Sequence, residues 1–176
     1  MTFETKKKKA FLMFIVRTAV TCVIIITLFK TVFMLCIIPS ASMERTLHIG
    51  DILIGTRYDA KKVKRYDVMV FIPPDHPNTY YIKRVIGLPG ETITVKGGNV
   101  YADGQKLKSS FVNGEMDSSG DGVYNVPKDH YFMMGDNRNN SEDSRFWAHK
   151  YVSIKNMTCH ARYIVYPFER FWKKAS

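Results

Sequence analysis

From residue 11 to residue 38 the chain is almost continuously apolar, and from residue 39 it changes to short alternating runs broken by turn residues. Thr18–Ile38 holds 21 residues with one charge, Lys30. As a helix at about 1.5 Å per residue it spans about 31 Å, the thickness of a bilayer core. A second registration, Phe11–Phe29, leaves Lys30 at the boundary and places Arg17 inside. The pattern predicts one tilted transmembrane helix within 11–38, its ends left open. A cleavable signal peptide has a shorter apolar region, about 7–15 residues. A helix lying on a soluble core shows a polar face, which Val23–Phe29 (VIIITLF) lacks.

Beyond Pro39 the periodicity is that of strands. Asp51–Tyr58, Asp67–Ile72 and Tyr80–Gly87 are short runs rich in β-branched and aromatic residues. Pro73-Pro74 and Leu88-Pro89-Gly90 end two of them. Thr92–Val95 and Asn99–Ala102 flank Lys96-Gly97-Gly98, a hairpin signal, and Asp103-Gly104 leads into Gln105–Leu107. His130–Met134 and Cys159–Tyr166 read as further strands. Ser109–Asp121 reads as a polar loop, and Ser144–Met157 as one or two short turns. The expected architecture is mainly β, with coiled antiparallel sheets behind one N-terminal transmembrane helix. Its expected division is a cytoplasmic N-terminus at 1–10, an anchor at 11–38 and an extracytoplasmic domain at 39–176.

Charge sharpens this picture. The net charge is +10, from 26 Lys and Arg against 16 Asp and Glu. Up to Ile38 there are six basic residues against Glu4, a net of +5; the remaining 138 positions carry 20 basic and 15 acidic residues, another +5. No dense basic stripe is left for a phosphate backbone, so nucleic acid is not an expected partner. Lys6 to Lys9 precede the span, and only Arg45 is basic between 39 and 56. The positive-inside rule therefore places the short N-terminus in the cytoplasm and the β domain outside a single-pass plasma membrane. Cys22, Cys36 and Cys159 form neither a disulfide framework nor a zinc motif.

Three segments carry candidate chemistry. Pro39–Leu47 (PSASMERTL) places two serines and a threonine directly after the span, where a plain juxtamembrane linker is the competing reading. In Tyr80–Glu91, strand alternation puts Tyr81, Lys83 and Val85 on one face and Ile82, Arg84 and Ile86 on the other. Burial among apolar neighbours lowers a lysine pKa and makes the neutral amine a general base; an exposed lysine lying over Tyr81 is the alternative. Met134–Arg145 is dense in Asp, Asn, Ser and Arg, and Asp143 with Arg145 can lock a buried loop or simply decorate a turn. The five histidines, 48, 76, 130, 149 and 160, sit in no triad-like motif, and neither a metal-binding spacing nor a phosphate loop is present. Serine with lysine remains as nucleophile and base.

In order along the chain, PSASMERTL (39–47), YDVMVF (66–71), KRVIGLPGE (83–91) and GDNRNNSEDSR (135–145) resemble the boxes of type I signal peptidases in their compact Gram-positive form. The resemblance implies a serine endopeptidase that removes N-terminal signal peptides from exported preproteins, cutting after small residues at −3 and −1. It implies Ser42 as nucleophile, Lys83 as general base, and Ser40 with the Ser42 N–H as oxyanion hole. Ser141 matches a serine that orients the lysine, and Asp143 and Arg145 match a supporting ion pair. Gly135 and Asp136 open the same loop, and Met43 beside the nucleophile is expected at the substrate. The implied partners are preproteins and the lipid bilayer, with no cofactor. Arg45 stands where the family has proline, which leaves the turn after the nucleophile freer, and Ala148 stands where a glycine often follows the aromatic pair. Self-cleaving repressor-type peptidases share the Ser–Lys chemistry but carry a DNA-binding module and no span. A silent anchored β domain has no need of Ser42, Lys83 and Ser141 together.

Overall fold

The computed structural model describes residues 3–175. A single α-helix, α1, runs from Phe3 to Thr31, and Lys6–Thr31 is long and apolar enough to cross a membrane. From Lys6 onward its side chains are exposed, with Phe11 and Val23 more than 60% accessible, so it is not a helix of the core.

The helix stops short of the expected limit at Ile38. Phe33–Ile37 is strand β1, paired antiparallel with β2 (Ile52–Thr56) from Phe33↔Thr56 to Ile37↔Ile52. The end of the apolar run thus belongs to the sheet, and the helix occupies only the earlier part of the 11–38 stretch. An unbroken apolar run has the same appearance as buried strand or helix, and the partner strand decides between them. Arg57 fixes the switch: its N–H donates to Val32 O (2.8 Å) and its Nε to Phe33 O (3.2 Å). Lys30 now lies in the last helical turn, where the helix dipole favours a cation, as the Phe11–Phe29 registration has it.

Seven strands form the main sheet in the order β1-β2-β11-β3-β4-β9-β10. The others are β3 (Val68–Phe71), β4 (Tyr81–Gly87), β9 (His130–Met134), β10 (Val152–Ser153) and β11 (Met157–Tyr166). A second sheet has the order β7-β6-β5-β8, from β5 (Thr92–Lys96), β6 (Asn99–Ala102), β7 (Gln105–Lys106) and β8 (Gly122–Asn125). Its two hairpins are two-residue turns, Gly97-Gly98 and Asp103-Gly104, with positive φ at all four positions. That is the turn whose twist matches the flanking strands. Strands β1, β8 and β10 are the ones the residue pattern did not announce.

Core packing explains the importance of β4. Ile86 joins Ile93, Val95, Phe132 and Met134 between the two sheets. Val85 faces the opposite way, onto Met69, Phe71, Met133 and Trp147. The strand is buried on both sides from Lys83 to Gly87, so a lysine near its start is carried into the interior by its neighbours.

Because β1 and Ile38 belong to the folded unit, a chain beginning at Val32 should unfold at a clearly higher temperature than one beginning at Pro39. Burying one Ile side chain is worth about 2 kcal/mol, and loss of the β1 ladder adds to it. At about 2–4 °C per kcal/mol the gap is on the order of 10 °C. Equal midpoints in thermal unfolding would contradict the placement of β1.

Candidate active site

The chain turns sharply after β1. Ala41–Met43 form one 3₁₀ turn, held by bonds from Glu44 N–H to Ala41 O (3.0 Å) and from Leu47 N–H to Met43 O (2.8 Å). Met43 anchors the turn. Its side chain is fully buried with Ile38, Leu47, Leu53 and Ile164. The expected contact of Met43 with substrate is therefore corrected: an apolar side chain at this point gains more by filling the core than by lining a cleft. Arg45 donates through Nη1 to Val112 O (3.4 Å), a long bond to a distant loop of the same chain.

Ser42 projects from this turn onto β4, where the Nζ of Lys83 donates to its Oγ in a short hydrogen bond. Ser40 Oγ lies 3.3 Å from Ser42 Oγ. Lys83 is 4% exposed. Met69 is directly opposite it on β3, and the Tyr81 ring is 5.8 Å from Nζ. This burial pulls the ammonium pKa from 10.5 down to about 8, against the opposing fields of Asp143, Glu142 and Asp136.

The loop from Gly135 to Arg145 holds the serine turn. Asn137 reaches that turn with main chain and side chain: its N–H donates to Ser42 O (3.1 Å) and its Nδ2 to Ala41 O (3.1 Å). Asp143 is wholly buried and accepts from Arg145 Nε (2.8 Å) and Nη2 (2.9 Å), Ser141 Oγ (2.8 Å) and Gly135 N (2.9 Å). The expected Asp143–Arg145 pair is thus present, but Ser141 behaves differently from expectation. Its hydroxyl donates to Asp143, and the hydrogen bond of Lys83 goes to Ser42.

Asp136 forms a second buried pair that the residue pattern did not indicate. It accepts from Arg84 Nε (2.8 Å) and Nη2 (2.6 Å) and, in a short bond, from Thr46 Oγ1. Strand alternation sends Lys83 and Arg84 to opposite sides of β4, yet both serve the same turn, Lys83 through Ser42 and Arg84 through Thr46 and Asp136. The adjacent Lys-Arg in the sequence was the available signal. Gly135 has no room for a side chain, since a Cβ there would lie 2.2 Å from Ser141 Oγ and 2.4 Å from Ser42 O.

Beside Ser42 a cleft of about 360 Å³ is lined by Pro39 to Ser42, Tyr80 to Lys83, Asn140 and Glu142. A more apolar recess of about 220 Å³ shares Pro39, Tyr80, Tyr81 and Ile82 and extends along β1. Among the described residues no cluster of three or more His, Cys, Asp or Glu side chains is placed to hold a metal. Chemically, the arrangement is a hydroxyl beside an amine that loses its proton near neutrality, in a cleft open to an extended chain.

A family model described as signal peptidase, peptidase S26, matches residues 11–166. Signal peptidase I of Leptolyngbya laminosa is 41% identical over 142 residues, covering 76% of this chain and 68% of that protein. Signal peptidase I of Bacillus licheniformis is 29% identical over 182 residues, covering 97% and 96%. The chain spans between 54% and 61% of the length of three further curated relatives that it matches. The crystal structure of a signal peptidase I from Enterococcus faecalis shares 27% identity and a TM-score of 0.48, over 56% of this chain and 95% of that one.

Two outcomes follow from the packing. Gly135→Ala should cost at least about 100-fold in activity, since displacements near 1 Å are that costly at a reacting centre; unchanged turnover would contradict the close approach. Lys83→Met should raise the thermal midpoint below pH 8. With a native pKa near 8, the wild-type chain carries its full penalty below that pH. It recovers the difference between pH 8 and 10.5, where the unfolded state binds the extra proton. A midpoint lower than wild type at pH 7 would contradict burial of the ammonium.

Proposed function

The chain belongs to the peptidase S26 family of signal peptidases, and from that membership we propose that it removes signal peptides from exported preproteins with Ser42 as nucleophile and Lys83 as general base. The observation that carries the reading is the direct contact of Lys83 Nζ with Ser42 Oγ inside a water-poor strand environment.

In the neutral form of Lys83 the Ser42 hydroxyl donates to Nζ. Proton transfer along that bond frees Oγ to attack the scissile carbonyl. The Ser42 N–H and the Ser40 hydroxyl, close by at 3.3 Å from Ser42 Oγ, serve the developing oxyanion, where one donor is typically worth about 2.7–4 kcal/mol. The ammonium of Lys83 then returns its proton to the leaving amine, and water releases the acyl enzyme in a second passage through the same base. Asp143, Arg145, Asp136 and Gly135 hold the loop, and Ser141 contributes through Asp143. The cleft beside Ser42 and its apolar extension accept an extended segment with small residues at −3 and −1.

Topology supports the same reading. Only one residue, Val32, separates α1 from β1, so the Ser42 turn lies close in sequence to the proposed span. With Lys6 to Lys9 on the cytoplasmic side, α1 anchors the chain in the plasma membrane and the β domain lies outside. A preprotein's cleavage site emerging from the bilayer then meets Ser42 at the outer surface.

Cleavage of a preprotein by the full chain in detergent should rise with pH through about 8 and level off above it, because Lys83 acts in its unprotonated form. Ser42→Ala and Lys83→Met should each abolish cleavage, and Ser40→Ala should lower it by about 10²–10³. Full activity in both Ser42→Ala and Lys83→Met would overturn the dyad.

A further inference from the structure

Besides the cleft at Ser42 and its apolar extension, a further cavity is walled in part by Arg138 of the Gly135–Arg145 loop, and the chemistry above does not use it. It measures about 410 Å³ and is lined by Lys106, Lys108, Glu115 and Arg138, with Gly97, Gly98 and Gly114 among the backbone walls. Its most unusual wall is Arg138. That guanidinium is 4% exposed, yet among the described residues it has no carboxylate partner. Its Nε donates to Gly135 O (3.1 Å), and its Nη1 makes only a weak contact with Met116 Sδ (3.7 Å).

The surrounding charge explains why this matters. Arg84 is matched by Asp136 and Arg145 by Asp143. Arg138 interacts with all four, and with each acid already committed it is the surplus cation of the cluster. A buried charge without a counter-charge is costly unless something neutralises it. The Phe111 ring lies 6.0 Å from the guanidinium, and at the cavity wall exposed Lys106 and Lys108 add two more positive charges against the one exposed acid of the lining, Glu115.

We propose that this cavity binds a phosphate-type oxyanion, with Arg138 as the buried anchor and Lys106 and Lys108 as the rim. Guanidinium with two flanking ammonium groups is a strong oxyanion set, and the volume admits a phosphate with a small substituent. The bound anion also reaches the loop that carries Gly135, since Arg138 Nε holds the Gly135 carbonyl, so occupancy stiffens the wall behind Ser42.

The test reads binding and is independent of peptide cleavage. Thermal unfolding of the full chain in nonionic detergent is followed with potassium phosphate against potassium chloride at matched ionic strength. A second arm uses vesicles of phosphatidylglycerol against phosphatidylcholine. Ligand at about 100-fold over its Kd should raise the midpoint by on the order of 5 °C. Lys106→Ser with Lys108→Ser, both on the exposed rim, should remove most of that rise, and Arg138→Gln should remove it all if that variant folds. A rise with inorganic phosphate identifies a free anion; a rise with phosphatidylglycerol alone identifies a lipid headgroup. No rise in either arm, or the same rise in wild type and the double lysine variant, would overturn the proposal.

Discussion

The proposed chemistry depends on burying one amine deeply enough that it gives up its proton near pH 8 rather than 10.5. Lys83 sits on a strand whose neighbours, Met69 across the ladder and Val85 two residues on, belong to the apolar core. Its pKa falls from 10.5 to about 8 because desolvation outweighs three nearby carboxylates. At 1.36 kcal/mol per unit, that difference is about 3 kcal/mol of native-state destabilisation while the group is charged. In the proposed mechanism the same burial brings the base within reach of neutral pH.

The carboxylates that oppose this shift are the ones that build the site. Asp143 and Asp136 would hold Lys83 charged if they were free, but each is saturated by its own arginine and by neutral donors. Breaking one such pair would strand a buried charge at about 3–5 kcal/mol. The paired loop in turn holds the Ser42 turn through Asn137. Rigidity and electrostatics therefore have one source: the ion pairs that fix the geometry also keep the carboxylate field from reclaiming the lysine proton.

Much of this was legible in the residues because strand alternation and turn chemistry are local. Two-residue glycine hairpins, the face shared by Tyr81, Lys83 and Val85, and the dense Asp–Arg loop all follow from spacing. What escaped was decided by partners distant in the chain. Phe33–Ile37 is as apolar as the helix before it, and only pairing with Ile52–Thr56 makes it a strand. Met43 reads as a cleft residue beside the nucleophile until the core around Leu47 and Leu53 claims it. Ser141 was expected on the lysine, and its bond to Asp143 is visible only once their positions are known. Arg84 faces away from Lys83 along the strand, and the turn that brings Thr46 and Asp136 to it is a tertiary feature.

The central claim is that Lys83 is an amine poised near neutrality by burial, and it is tested most directly by titrating that one side chain. Nitrogen or carbon NMR of isotopically labelled lysine, assigned by comparison with Lys83→Met, reads its midpoint in the intact chain. The account predicts a midpoint at about 8, well separated from the exposed lysines. A midpoint near 10.5, with the other lysines, would contradict it.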